Sequence, residues 1–346
     1  MERTPITPPD PEETGIPDVT VSVVNTSQRD FTLTCLAALE ADESRYAVET
    51  VVLDNASDDD SVTAVGEAFP WARQIEQRRR AGFGANHNTV IRGSEGRYVY
   101  VLNEDATVEP GSFDRMVAYL DARPHVGALG TRVVYPGGRD QPSAWRFPTP
   151  AVQVLTALTL GRFGIVQSGG QEIRRVDWAM ACALLVRREA LERVGLFDEG
   201  FFLYCEETDL LLRMADAGYE THYLPSVIVT HHAKQSSAKV PERRIVEHWR
   251  SRHRYWAKHH APLAARTAAV GAGVAWTARV VVAAAAGRAK PLQRLYRPKG
   301  TDVAQFALNA RFAFRGTTGP GIRELAEAWN TAHPDGPRQE QGAAGR

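Results

Sequence analysis

The sequence has little cysteine and no excess of charge of either sign. Its three cysteines, among 346 residues, stand singly, without metal-ligand or redox spacing. We therefore expect reduced, packed thiols in a cytosol and not a disulfide framework. Lysine plus arginine and aspartate plus glutamate number 41 each. A chain without a net positive field is not expected to bind nucleic acid, so any effect of charge must be local.

Two signals of membrane targeting are also missing. The segment 1–17 is acidic and rich in proline, where a secretory signal needs a basic start and an apolar run. A disordered tail and a cytoplasmic location are expected from it. The apolar segment 267–287 is interrupted or flanked by Arg266, Arg279 and Arg288. Charges at these positions argue against a helix that spans a membrane.

What is present is an alternation of β-branched apolar runs with segments of helical period. This alternation predicts an α/β fold with a largely parallel sheet, in which ligands bind beyond the carboxyl ends of the strands. The predicted strands are 19–24, 48–54, 97–103 and 126–134, and the predicted helices between them are 30–41, 61–69 and 111–122.

The second half of the chain differs in composition. A loop rich in glycine and proline, 136–150, joins the halves and is a candidate lid. A buried strand is predicted over 176–187 and a helix over 206–217. A helical region is predicted over 238–325, and a disordered tail over 326–346.

Carboxylates follow two of the predicted strands. Asp54 closes one strand and Asp105 follows another, and adjacent strands would bring both to one rim of the sheet. A divalent cation on Asp105 would compensate the charge of a departing diphosphate, and His231 could complete its coordination. Asp54 could accept a hydrogen bond from a base or a ribose. Taken alone, each acid is more often a turn former or a helix cap, and the histidine an ordinary surface or core residue.

A segment with two glycines, AGFGANHN over 81–88, opens a predicted helix. Its backbone can approach a phosphate or a sugar closely, and a helix N-terminus favours anions. The segment lacks the complete GxGxxG fingerprint and the downstream acid of nicotinamide enzymes. An ordinary tight loop ahead of a helix is the alternative.

Three acids, Glu206, Glu207 and Asp209, crowd the start of helix 206–217. Attack by an alcohol on an anomeric carbon needs a base to take its proton, and Glu207 is the favoured base. The alternative is a solvated acidic first turn, which complements the helix dipole.

Taken together and in this order, these segments resemble the inverting family 2 glycosyltransferases of the GT-A fold, particularly their rhamnosyltransferase-like branch. The resemblance runs from Val19 to Ser237. Its most specific pieces are VVLDNASDDDS, GFGANHN, LNEDATVEPG, the segment from Val176 to Arg213, and HHAKQS.

The resemblance implies transfer of a sugar from a dTDP- or UDP-linked donor to an acceptor hydroxyl, by a single displacement with inversion and with Mg²⁺ or Mn²⁺ as cofactor. It implies Glu207 as the general base, and Asp105 and His231 as metal ligands. The implied acceptor contacts are Asp177, Trp178 and Glu206. The implied donor contacts are Asp54, Asn55, Gly82, Phe83, Asn88, Asn103, Glu104 and Asp105.

The sequence departs from the family pattern at four places. The usual Asn-Pro-Asp carries Glu104 in the middle, which bears on metal binding. The usual Thr-Tyr-Asn after the first strand is replaced by 25–27, and the usual Glu-Asp pair ends in Glu207. The small glycine of the acceptor strand is Ala181 here, which bears on acceptor preference.

The expected organisation is a GT-A domain over 18–237, with a nucleotide-binding half (18–135) and an acceptor half (150–237), followed by the helical region. Arginines and aromatics over 241–288 suit either peripheral contact with a membrane, at its inner face, or packing on the domain or a second copy of the chain in a homodimer.

The leading interpretation is a rhamnosyltransferase that acts on a cell-envelope glycan, a glycolipid or a natural product. One alternative is a transferase of the same fold that uses a UDP-hexose or UDP-galactofuranose donor. Another is a catalytically silent protein that binds a nucleotide sugar.

Overall fold

In the computed structural model of the chain, residues 15–159, 165–232, 240–286 and 302–337 are described. The strands are β1 (Val19–Asn25), β2 (Val48–Asp54), β3 (Arg73–Glu76), β4 (Tyr98–Asn103), β5 (Ala106–Val108), β6 (Val126–Val134), β7 (Asp140–Gln141), β8 (Ala144–Trp145), β9 (Arg174–Val176), β10 (Trp178–Ala179), β11 (Ala183–Arg187) and β12 (Glu220–His231). The helices are α1 (Arg29–Glu40), α2 (Ser61–Ala68), α3 (Phe83–Arg92), α4 (Ser112–Asp121), α5 (Pro150–Thr159), α6 (Arg188–Val194), α7 (Glu206–Asp216), α8 (Pro241–His259), α9 (Pro262–Ala286), α10 (Asp302–Arg315) and α11 (Ile322–Ala332).

One sheet of ten strands forms the centre of the molecule, in the order β3-β2-β1-β4-β11-β6-β12-β5, with β7 and β9 on its side branches. The first four strands in this order are parallel. Antiparallel β11 joins them to β6, and β6 and β12 are parallel again. The predicted α/β class is confirmed. Because β1 lies between β2 and β4, the expectation that the strands of Asp54 and Asp105 are adjacent is wrong.

Continuous apolar runs explain why the central strands are buried on both faces. The side chains of β1 and β4 are almost entirely inaccessible, as expected for parallel strands covered by helices on each side. One face packs on α1 and α4 through residues such as Leu36 and Met116. The other face packs on α3, α6 and α7 through residues such as Leu210 and Met214. Each such side chain contributes roughly 1.5–3 kcal/mol on burial.

The structure corrects two of the predicted segments. The single strand expected over 176–187 is three short strands, separated by turns that leave Met180, Ala181 and Cys182 outside regular pairing. The disordered tail expected over 326–346 is wrong for its first part, since α11 runs to Ala332 and description continues to 337. The segments 1–14, 233–239 and 338–346, with most of HHAKQS, lie outside the described residues.

The C-terminal helices form their own apolar cluster against the sheet domain. Trp249, Tyr255 and Trp256 of α8 are buried there with Ala268 and Phe312. Within the described chain, α9 is the one helix long and apolar enough to cross a membrane, with a mean hydropathy of 1.6 over Pro262–Ala285. One third of that stretch is buried inside the protein, where α9 packs on α5 and α10.

Candidate active site

A cavity of about 540 Å³ opens at the carboxyl ends of β1, β2 and β4, where the parallel strands predict a ligand. Its walls come from the loops after these strands, the start of α3, the turn before β11, the start of α7, the end of β12 and the first turns of α11. Residues distant in the chain therefore share one chamber, and their contacts decide what chemistry they can perform.

Asp105 and His231 lie together at one end of this cavity. Nε2 of His231 is 3.2 Å from Oδ1 of Asp105, and both side chains are buried. Oδ1 has no hydrogen-bond partner among the described residues. Antiparallel pairing of β12 with β5 sets His231 opposite Ala106, beside Asp105. An orphaned buried carboxylate oxygen next to an imidazole nitrogen fits a hard divalent cation.

The neighbours of His231 fix the roles of its two ring nitrogens. Nδ1 lies 3.2 Å from Oε1 of Gln141, and Nε2 lies 3.5 Å from Nδ2 of Asn103. A proton on Nδ1 can be donated to Gln141, which leaves the lone pair of Nε2 facing Asp105. The loop 136–150, the candidate lid, thus supplies a partner for the histidine through Gln141.

Glu104 also lines the cavity, at the place where the family carries proline. Burial, followed by the charge of Asp105, raises the pKa of the Glu104 carboxyl to about 8. At neutral pH this side chain is mainly uncharged in the protein as described. Asp105 is then the carboxylate that could serve as an anionic metal ligand at this end of the cavity.

Asp54 lies behind the cavity wall. It is 4 % exposed, its Oδ1 accepts a hydrogen bond from Nδ2 of Asn25 and its Oδ2 accepts one from the backbone N–H of Ser57. Asn55 lines the cavity instead. Its Oδ1 accepts from the backbone N–H of Ala81 at 2.8 Å, which joins the loop after β2 to the loop before α3. Asp54 thus stabilises the loop after β2 that carries Asn55.

The start of α3 contributes Phe83, Asn86 and His87 to the cavity. Nδ1 of His87 lies 2.7 Å from Oγ of Ser22, and burial lowers the pKa of His87 to about 3, so the ring is neutral. Nε2 of His87 and Oδ1 of Asn86 have no hydrogen-bond partner within the described part of the chain. Both were contained in AGFGANHN but were not singled out from the sequence.

Two expected donor contacts near α3 are placed differently. Asn88 is buried away from the cavity, where its amide donates to O of Phe197 and its Oδ1 accepts from the N–H of Phe197. Gly82 abuts the backbone of Phe202, since a Cβ there would lie 2.6 Å from the carbonyl oxygen of Phe202. The glycine is needed for this close approach of two loops, and Phe83 beside it reaches the cavity.

Glu206 and Glu207 begin α7 and both line the cavity. The turn before them places Tyr204 and Cys205 at φ 71° and 66°, a left-handed conformation that costs of order 1 kcal/mol or more for each non-glycine residue. Oε2 of each glutamate has no hydrogen-bond partner among the residues described. Strain in the backbone thus accompanies two carboxyl groups left free to meet a ligand.

The two carboxyl groups differ in their surroundings. Burial, and then the charge of Glu207, raise the pKa of Glu206 well above its ordinary value. Burial also raises the pKa of Glu207, but backbone hydrogen bonds at 207 and 208 and the charge of Arg252 oppose the rise. Because these surroundings move the pKa values of the two neighbouring carboxyl groups apart, Glu207 is favoured as the one that ionises.

The acceptor contacts expected at Asp177 and Trp178 lie outside the cavity lining. Oδ2 of Asp177 accepts from the N–H of Phe147 at 2.9 Å, and the ring of Trp178 stacks on Trp145 with centroids 4.6 Å apart. These contacts hold the turn that presents the three residues lining this wall. They are Met180, Ala181 and Cys182.

A second group of potential metal ligands, His125, Glu220 and His222, lies at the opposite edge of the sheet. Glu220 begins β12 and His231 ends it, so about 35 Å of extended strand separates this group from Asp105. It is therefore not part of the cavity, and its Glu220 is paired with Arg175 at 3.0 Å.

Comparisons with known proteins show which family and which fold this chain resembles. The model of the family described as glycosyl transferase family 2 matches residues 18–195. The chain is 30 % identical over 233 residues to an N-acetylglucosaminyl-diphospho-decaprenol L-rhamnosyltransferase of Mycobacterium tuberculosis, covering 62 % of this chain and 76 % of the relative. It is 25 % identical to the rhamnosyltransferase WbbL of Escherichia coli K12, covering 69 % and 93 %.

A solved structure has a similar fold. It is the mannosyltransferase PcManGT from Pyrobaculum calidifontis in complex with GDP-Man and Mn²⁺, with a TM-score of 0.55 and 21 % identity, covering 91 % of this chain and 90 % of that one. At this identity the likeness shows the fold alone, which is that of the GT-A glycosyltransferases.

Proposed function

Because the chain belongs to glycosyl transferase family 2 and is a glycosyltransferase, we propose that it transfers rhamnose, with inversion, from a nucleotide-diphosphate donor to a hydroxyl of a lipid-linked cell-envelope glycan. The observation that carries this proposal is the meeting of Glu207 with Asp105 and His231 in one cavity. A base and a site for a cation are the two elements that a single displacement needs.

Glu207 takes the proton of the acceptor hydroxyl in this reaction. The acceptor oxygen then forms a bond to the anomeric carbon, and the bond from that carbon to the diphosphate oxygen breaks, with its electron pair leaving on the diphosphate. Attack from the side opposite the leaving group inverts the anomeric centre. Burial and the charge of Glu207 raise the pKa of Glu206 well above its ordinary value, and in its protonated form this side chain can donate a hydrogen bond to the acceptor.

Asp105 and His231 would hold Mg²⁺ or Mn²⁺, and the orphaned Oδ1 of Asp105 supports this assignment. The cation would compensate the charge of the diphosphate. Unpaired buried atoms of Asn86 and His87 lie at the cavity. Oδ1 of Asn86 can accept a hydrogen bond from a sugar hydroxyl, and Nε2 of neutral His87 can accept from the sugar or donate to the sugar or the diphosphate, according to its tautomer.

The choice of rhamnose and of a lipid-linked acceptor rests on the relatives. Two of them are rhamnosyltransferases, and the name of one specifies a diphospho-decaprenol acceptor. The alternative donor, a UDP-hexose or UDP-galactofuranose, is tested by comparing rates of turnover. If a UDP-sugar is consumed faster than dTDP-rhamnose, the donor in the proposal is that UDP-sugar and not dTDP-rhamnose.

A lipid-linked acceptor is reached most directly by a protein lying on the inner face of a membrane. Apolar side chains on α5 and α9 are exposed, with Leu158 and Leu263 each 79 % accessible, and the two helices pack together. We infer that this surface is the peripheral membrane contact and that the active site works from the cytoplasmic side.

The test is calorimetric binding of UDP and dTDP, with and without Mn²⁺, to the native chain and to Asp105→Ala. Metal-dependent binding of one nucleotide that the substitution abolishes is expected. Folded protein that binds neither nucleotide would overturn the proposed site.

A further inference from the structure

Helix α11 lies beyond the residues matched by the family model, yet it forms one wall of the cavity. Ile322, Leu325 and Ala326, three successive positions on one helix face, line the chamber. The sequence pattern offered no sign of this, since the segment was expected to be partly a tail.

The last turns of α11 are fastened to the rim of the nucleotide-binding half. Oδ1 of Asn330 accepts from the backbone N–H of Arg80 at 2.7 Å, and its Nδ2 donates to the carbonyl of Arg80 at 3.0 Å. The guanidinium of Arg80 lies over the ring of Trp329 at 4.3 Å and pairs with Asp58 at 3.1 Å. The face of the Arg80 guanidinium is therefore covered by α11, and its charge is paired with Asp58.

The first turn of α11 is held by contacts to α8 and to the loop at Gly200. The backbone N–H of Arg323 donates to Oε2 of Glu247 in α8, and its guanidinium donates to the carbonyl of Gly200. Glu324 caps the helix by accepting from the N–H of Gly321 and pairs with Arg250 at 3.0 Å. The helix is thus held against the cavity by directional contacts at both of its ends.

We propose that α11 is a wall of the donor site, in which Leu325 packs against the nucleoside of the donor. This inference rests on the proposed function. The carboxyl ends of β1 and β2 carry Thr26 and Asn55, the residues that would face the nucleotide, and α11 docks on the adjacent Arg80. An apolar side chain there removes nucleoside surface from water. Helix α11 also helps to exclude water from a reaction in which hydrolysis competes with transfer.

Leu325 and Glu327 make a matched pair for the test, because they lie on the same helix but Leu325 lines the cavity and Glu327 is exposed. Leu325→Trp puts a larger ring into the space proposed for the nucleoside, and we expect it to weaken binding of UDP and dTDP, measured by calorimetry with Mn²⁺, by about tenfold or more. Glu327→Trp adds the same ring to the outer face and should bind as the native chain does. Leu325→Ala should weaken binding by a few-fold through lost contact.

A second variant weakens the contact between α11 and Arg80 and leaves the residues that line the cavity unchanged. Trp329→Ala removes the surface on which Arg80 stacks, and the KM for the donor should rise several-fold while kcat at saturating donor stays within about twofold, since α11 touches no reacting atom. Melting temperatures of all variants are compared with that of Glu327→Trp.

Equal nucleotide affinity in Leu325→Trp, Trp329→Ala and the native chain would contradict the role of α11 in the donor site, and the proposed function would not be affected. Failure of the folded native chain to bind any nucleotide would overturn both.

Discussion

Nε2 of His231, at the end of β12, lies 3.2 Å from Oδ1 of Asp105, in the turn between β4 and β5. The pair exists because β12 returns antiparallel to β5. If both hold the cation, His231→Ala should weaken the metal-dependent part of nucleotide binding by about 10–100-fold. A Mn²⁺ titration at fixed nucleotide measures it. His125→Ala, at the opposite edge of the sheet, is the control, and an equal loss in both variants would contradict the assignment.

Substitution of the two glutamates of α7 should lower kcat to different extents. Glu207→Gln removes the base and should lower kcat by about 10²–10⁴-fold with little change in donor affinity. Glu206→Gln keeps a hydrogen-bonding group of the same size and should cost less, about tenfold. Initial rates with saturating donor and acceptor decide between them. A larger loss for Glu206→Gln would exchange the two roles.

The pH dependence of the rate should follow from the pKa of Glu207, which burial raises above the ordinary glutamate value of 4.5. The base must be ionised, so kcat/KM should fall as the pH falls, with its acidic limb centred above 4.5. A pH profile of kcat/KM under constant ionic strength measures the limb. A limb centred at or below 4.5 would mean that a different group limits the rate.

Glu206 should lower the stability of the protein at neutral and alkaline pH. Its folded-state pKa is raised well above 4.5 by burial and by Glu207, so the folded state binds more protons than the unfolded state once the pH exceeds 4.5, and stability is lost as the pH rises. Glu206→Gln removes this titration and should raise Tm at pH 8 by about 2 °C or more, with a smaller gain at pH 5. Glu327→Gln, an exposed glutamate, should show no such dependence on pH.

The exposed apolar surface of α5 and α9 should govern membrane contact. Leu158→Glu combined with Leu263→Glu places acids on residues that are each 79 % accessible, and binding to vesicles containing anionic lipid should fall by about tenfold. Co-sedimentation measures it. Ile173→Glu, an exposed apolar position outside these helices, is the control. Unchanged vesicle binding in the double variant would remove this surface from the proposal.

Local patterns predicted the elements well and the residue contacts less well. The strands 19–24 and 48–54 and the helix 206–217 were placed within a residue or two, because apolar period and turn chemistry act over short stretches. Asn88 and Asp177 were expected at the ligand, but both are used inside the protein to tie loops together. A polar residue near a loop has the same sequence pattern whether it contacts the ligand or forms hydrogen bonds within the protein.

The sequence by itself determined the α/β class, the family resemblance and the acids at the ends of β2 and β4 and at the start of α7, because these follow from side-chain chemistry and short-range period. Only the tertiary structure decided which atoms meet. It set β1 between the two acid-bearing strands, brought His231 to Asp105 through antiparallel pairing, and held α11 against the cavity by contacts to Arg80, 250 residues away in the chain. Such long-range contacts depend on complementary surfaces formed only after the elements pack, and no local pattern records them.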